Sequence, residues 1–209
     1  MSTAGAASRC IVTCGGMAPT RRLAPDFYRQ DTLTVARALL GMHLVRRIDG
    51  ERRVGRIVET EAYLGPEDRA AHSWGGRTPR TEVMFGPPGR AYVYLIYGLW
   101  NCLNLVTAAE GTPHAVLLRA LEPIRALPGR TSGPGLLCRA MDIDRRLNGA
   151  ELSGPDLWIE RPARPAPVRI GRSARIGVDY AGDWARRPWR FFDRDSPFVS
   201  GRRSASGRR

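Results

Sequence analysis

Two carboxylates separated by one residue, Glu59 and Glu61, stand near the end of an extended apolar run. Tyr63, a Gly-Pro break at Gly65-Pro66, an acidic pair and His72 follow them. A side chain at the end of a packed strand is held in place, while the loop beyond it is free to meet a substrate. Strand alternation puts Gly55, Ile57, Glu59, Glu61 and Tyr63 on one side, with Val54, Arg56, Val58 and Thr60 opposite. The two carboxylates then lie about 7 Å apart on one face, a spacing that admits an acid and base pair for breaking a glycosidic bond. The competing role is an ion pair with one of the many arginines, and Glu59 suits it better. Glu61, nearer the turn and the aromatic, is the catalytic candidate.

A second chemical stretch is RAYVYLIYGLWNCLN, residues 90–104. In a regular strand Tyr92, Tyr94 and Ile96 face one way and Val93, Leu95 and Tyr97 the other, and Gly98 permits a turn. Three tyrosines and Trp100 so close together suit either base stacking and wedging or an aromatic sheet face packed on a helix. Asn101 and Asn104 follow. Arg119 interrupts the apolar run 115–121, where an unpaired charge is costly, so it must meet an anion. Glu61 is its simplest partner.

These residues need elements to hold them. Asp31 or Thr32 caps a helix packing through Leu33, Ala36, Arg37 and Leu40, with Gly41 as its stop. Asp49-Gly50 joins strands 42–48 and 54–64 as a hairpin. Residues 132–144 open with Gly-Pro-Gly and read as a helix whose N-terminus can hold a phosphate. Residues 161–169 form a proline-rich connector, and 172–199 short strands and turns, where Arg186, Arg187 and Arg190 alternate with Trp184 and Trp189.

With 209 residues and 43% hydrophobic content, the chain supports one domain. Its net charge of +13 favours a polyanion, nucleic acid before a membrane surface. All 33 basic residues are arginine, so no lysine side chain is present for Schiff-base chemistry, and activated water becomes the expected nucleophile. Cys10, Cys14, Cys102 and Cys138 lack the spacing of a zinc site. A reduced, intracellular protein of the cytoplasm or nucleoid is expected, with neither metal nor cofactor. Residues 1–23 read as a disordered extension, with Met17 an alternative start, 24–200 as the domain, and 201–209 as a basic tail.

The blocks VETEAYLGPEDRAAHSWGGRTPR, YVYLIYGLWNCLN, VLLRALEP, GPGLLCRAM and ARRPWRFFDRDSPFVS occur in this order between Ala24 and Ser200. Together they resemble the 3-methyladenine DNA glycosylases of the mammalian alkyladenine type. The resemblance implies a mixed α/β (α+β) domain around a curved antiparallel sheet, with a protruding β-hairpin that enters the minor groove. It implies a monomer acting on double-stranded DNA that contains damaged purines, with no membrane partner. It makes Glu61 the base that activates water, with Arg119 and the Val199 carbonyl as further contacts of that water. Tyr63 and Tyr94 become the plates around the extruded base, His72 its edge contact, Asn104 the residue that crowds out the guanine amino group, and Tyr97 the intercalating wedge. Leu136 stands where the family often has lysine, so a phosphate contact at that spot is not carried over, and Trp100 where it often has a smaller aromatic; a wider groove contact is expected from the latter. A non-catalytic nucleic-acid-binding module and a hydrolase of free nucleosides are the alternatives that composition and carboxylates leave open.

Overall fold

The chain begins its described path with Arg21–Arg22 (β1), which pairs with Leu157–Arg161 (β7). The computed structural model describes residues 21–201. Leu23 is buried and donates its N–H to the Ile159 carbonyl (2.8 Å), so residues 21–23 belong to the domain and not to the expected extension. The expectations for the N-terminal extension, Met17 and the basic tail otherwise fall on residues 1–20 and 202–209, outside the described residues.

Asp31 caps the helix Thr32–Ala38 (α2) by accepting from the Thr34 N–H at 2.9 Å, after the short helix Pro25–Tyr28 (α1). Val35 and Ala36 of this helix, with Leu39 and Leu40 just after it, are buried; Arg37, expected on the packing face, is exposed and reaches over the Phe191 ring. His43–Ile48 (β2) and Glu51–Leu64 (β3) form the hairpin that Asp49-Gly50 predicts, both turn residues having positive φ (48° and 83°). Ala91–Ile96 (β4), Trp100–Thr107 (β5) and His114–Arg125 (β6) continue the antiparallel sheet. Pro134–Met141 (α3) follows, and Ile170–Ser173 (β8) and Arg190–Asp193 (β9) close the chain. The order is β1-β7-β2-β3-β6-β5-β4, with β9 pairing both β3 and β8. The protein is thus a single sheet-rich domain with few helices, of the α+β kind.

The middle of β3 is the special place in this sheet. There it is flanked by β6 on one side and β9 on the other, and its register with β6 shifts twice, between Ile57 and Glu59 and between Glu59 and Thr60. The first shift passes Val58 on β3; the second passes Arg119 on β6. Each extra residue reverses the alternation. Ile57 therefore joins the core with Ala62, Val116, Leu118 and Leu121, and Thr60 bonds the Ala36 carbonyl of α2 (2.8 Å). Simple alternation placed Ile57 beside the carboxylates; the bulge moves it to the opposite face. Glu59, Glu61 and Arg119 are left together on the side away from the helices.

Tyr97-Gly98-Leu99 turns β4 into β5, with Tyr97 and Gly98 at φ 49° and 68°. Trp100 stands at the base of this turn. Its ring packs on Gly135 at the start of α3, with the Arg139 guanidinium 4.4 Å above it. A Cβ at position 135 would come within 2.7 Å of Trp100 Cε3. Gly135→Ala is therefore expected to cost about 1–3 kcal/mol. Thermal unfolding should show a loss of several degrees, and an unchanged midpoint would mean that the hairpin is not braced on α3.

Candidate active site

Arg119, delivered by the β6 bulge, lies between the two carboxylates. Its Nε donates to Glu59 and its Nη1 to Glu61, each at 3.2 Å. Glu59 is further bound by Arg190 Nε (2.6 Å), the Ser200 N–H (2.6 Å) and the Ser200 hydroxyl (2.8 Å). With every one of these donors on protein groups and no exposure, Glu59 fills the ion-pair role. Arg190, one of the arginines alternating with tryptophans in the sequence, is thereby drawn into the interior network. Arg187 keeps that alternation, its guanidinium lying 5.3 Å from Trp184 and 5.9 Å from Trp189.

Glu61 is also fully buried, but its partners differ. Oε1 accepts from the Ile176 N–H (2.8 Å), and Oε2 from the Tyr63 hydroxyl (2.9 Å) and Arg119. Tyr63, Ile176 and Arg119 all line a cavity of about 320 Å³. Tyr94, His72, Asn104 and Tyr97 line the same space, joined by Tyr92, Cys102, Val178 and Tyr180. Glu61 itself stands one layer behind the wall. The cavity has the size of a small planar ligand, and aromatic rings dominate it.

Within it the His72 ring lies edge-on to Tyr94, centroids 4.4 Å apart, and its Nδ1 bonds the Tyr92 hydroxyl at 3.0 Å. Asn104 Nδ2 donates to the Tyr92 carbonyl (3.3 Å), which fixes the amide against the strand. Tyr97 is 88% exposed at the rim. Strand alternation set Tyr97 on the face opposite Tyr92 and Tyr94; its left-handed backbone turns it toward the cavity instead. Pro134 brings the start of α3 to the same rim. Val199 is not part of this wall. It borders a separate space of about 190 Å³ with Ser200, Arg190 and Phe192, and Ile176 divides the two.

Burial pushes the Glu61 carboxyl above the ordinary glutamate range; Arg119, the Ile176 N–H and the Tyr63 hydroxyl oppose that shift without cancelling it. Burial, reinforced by the Arg80 charge, brings His72 down to about 4. His72 is therefore neutral at pH 7 and serves as a hydrogen-bonding group, with no proton of an imidazolium to give. The arrangement pairs a carboxylate near an aromatic slot with an arginine held against it.

Several parts of the site were not visible in sequence. Tyr92 was placed on the face of Tyr94, yet its bond to His72 spans twenty residues. Ile176 and Ser200 act through backbone N–H groups, which no residue type announces. Asp68 and Arg175 form a fully buried bidentate pair behind Tyr63. The acidic pair after Gly65-Pro66 was the only signal for it.

The family described as Methylpurine-DNA glycosylase (MPG) matches residues 26–197. A protein of Anaeromyxobacter dehalogenans (strain 2CP-1) is 57% identical over 180 residues, covering 86% of this chain and 85% of its own. One of Legionella pneumophila (strain Corby) is 52% identical over 180 residues, covering 86% and 98%. One of Myxococcus xanthus (strain DK1622) is 55% identical over 181 residues, covering 85% and 93%. All three carry the name "Putative 3-methyladenine DNA glycosylase".

The upward shift of Glu61 has a consequence for stability. A carboxyl whose folded pKa exceeds its unfolded value of about 4.3 destabilises the fold once pH rises above both, and ceases to do so below the unfolded value. Glu61→Gln does not titrate, so the melting temperature of the parent should fall relative to that of the variant as pH rises from 4 to 7. A difference that moves in favour of the parent over that range would show that the ionised carboxylate stabilises the fold.

Proposed function

The chain belongs to the methylpurine-DNA glycosylase family, and on that premise we propose that it excises alkylated purines from duplex DNA with a water activated by Glu61. The observation that carries this is the position of Glu61: a buried carboxylate whose donors are the wall of an aromatic cavity.

A base inside a duplex must leave the stack before its sugar carbon can be attacked, at a cost of a few kcal/mol. Tyr97, exposed at the rim, fills the vacated step, and the arginine-rich surface of a +13 chain neutralises phosphates. The purine enters between Tyr63 and Tyr94 with its edge at His72. Asn104 narrows the space beside it against a 2-amino group. Water takes a place on the cavity side of Arg119 and exchanges for one of the donors on Glu61 Oε2. Its oxygen bonds to C1′ as the C1′–N9 bond breaks, and its proton passes to Glu61. The purine leaves with the bonding electrons, which neutralise the positive charge that alkylation at N3 or N7 gave it. Such a leaving group needs no acid, in keeping with a neutral His72. Hypoxanthine and etheno purines lack that charge and require a proton from elsewhere, so alkylated bases are the main substrates. The product is an abasic site.

The Val199 carbonyl, separated from the cavity by Ile176, reaches this water only if the two spaces communicate in the DNA complex. With no lysine in the chain, only the α-amino group could form a Schiff base, which supports a monofunctional enzyme.

Incubation with alkylated duplex should leave DNA that breaks only after hot alkali. Breakage without alkali would contradict a monofunctional enzyme. Intact strands with tight, salt-sensitive binding would indicate a binding module, and release from free nucleosides alone a different hydrolase. Glu61→Gln should lower single-turnover excision by about 10²–10⁴-fold with little change in lesion affinity. In the parent, the rate should fall on acidification with a midpoint above the ordinary glutamate value, because burial raises the Glu61 pKa. A flat profile down to pH 4 would rule out the carboxylate as base. Tyr97→Ala should impair excision more from a well-paired duplex than from single strands, and equal losses would remove its wedge role.

A further inference from the structure

Behind Tyr63, on the side away from the cavity, lies a cation. The Arg175 guanidinium sits 4.7 Å from the Tyr63 ring centroid and 5.1 Å from that of Trp189. Arg175 is fully buried and takes no part in the cavity wall, so the Tyr63 ring separates it from any stacked ligand. Its Nη1 donates to the Ala62 carbonyl (2.9 Å) and its Nη2 to the Trp184 carbonyl (3.0 Å). Asp68, equally buried, receives both ends of the fork, Nη2 to Oδ1 at 2.8 Å and Nη1 to Oδ2. Asp68 also accepts from the Leu64 N–H (3.2 Å) and the Ala70 N–H (3.0 Å).

A ring sandwiched between a guanidinium and a cationic purine faces the same sign of charge on both faces. Each would compete for the same π electrons, and the two charges would repel through the ring. The other charges at the site already balance, Glu59 and Glu61 against Arg119 and Arg190. We propose that Asp68 is a specificity-determining residue: by neutralising Arg175 under Tyr63, it lets that ring accept a positively charged purine. Resting on the stacking role given to Tyr63 above, this assigns a function to a buried ion pair that touches no substrate. Fold stability alone could be supplied by apolar packing, which often equals or exceeds a buried pair. The pair instead keeps an arginine that anchors the Ile176 segment to β3 while hiding its charge from the slot.

The test compares dissociation constants, with Glu61 in place, for duplexes carrying one 3-methyladenine or one hypoxanthine, each on a 2′-fluorinated sugar that resists excision. Asp68→Asn leaves the guanidinium uncompensated and should weaken binding to the cationic lesion on the order of tenfold. Binding to the neutral lesion should change less than about twofold. Equal losses on both duplexes, or none on either, would overturn the proposal. Should Asp68→Asn fail to fold, Arg175→Gln provides the opposite sign. With the guanidinium gone, Asp68 keeps its two backbone N–H bonds and no cation lies under the ring, so preference for the cationic lesion should rise above the parent's. A preference at or below the parent's would contradict the assignment. Failure of the glycosylase function itself is seen separately, as absence of excision by the unmutated protein in the same preparation.

Discussion

Everything in this site depends on the insertion of one arginine between two carboxylates in the interior of a sheet. Two acidic side chains on the same face of one strand repel, and neither could stay ionised when fully buried without a counter-charge. Arg119 meets both, and a bulge on each of the paired strands is what permits it. Arg190, opposite Glu61 on β9, adds a second positive charge directed to Glu59. The division of labour follows from geometry. Glu59 is closed in by Arg190 and Ser200, whereas each donor to Glu61 also belongs to the cavity wall.

The same arrangement sets function against stability. A carboxylate buried deeply enough to be raised in pKa is a stronger base than an exposed one, and the protein bears the cost of keeping it charged. Part of that cost is offset by rigid donors from three different segments: β6, the end of β3 and the Ile176 backbone. The Asp68–Arg175 pair ties two of these segments together, so orientation of Glu61 and placement of Tyr63 share one anchor.

Much of the fold could be read from the chain. The Asp-Gly hairpin, the Asp31 cap, the strand ending at Leu64 and the aromatic strand turning at Gly98 all follow local rules of turns, caps and alternation. Glu61, Tyr63, Tyr94, His72, Asn104, Arg119 and Tyr97 stand out in the sequence, and the fold gathers them around one cavity and the carboxylate behind it. What escaped depended on nonlocal geometry. Ile57 changed faces because of bulges that no single residue signals, Trp100 turned inward because Gly135 leaves room for its ring, and Val199 fell on the far side of Ile176. Backbone donors such as the Ile176 N–H are silent in any sequence.

The central claim, that an extruded purine occupies the aromatic cavity with its sugar carbon turned toward position 61, is tested most directly by a crystal structure of the Glu61→Gln protein on duplex DNA containing one 3-methyladenine. The base should lie between Tyr63 and Tyr94, with Tyr97 in the vacated step and C1′ facing the substituted amide at position 61 through a water. A lesion still stacked in the helix, or one bound elsewhere with the cavity empty, would contradict the account.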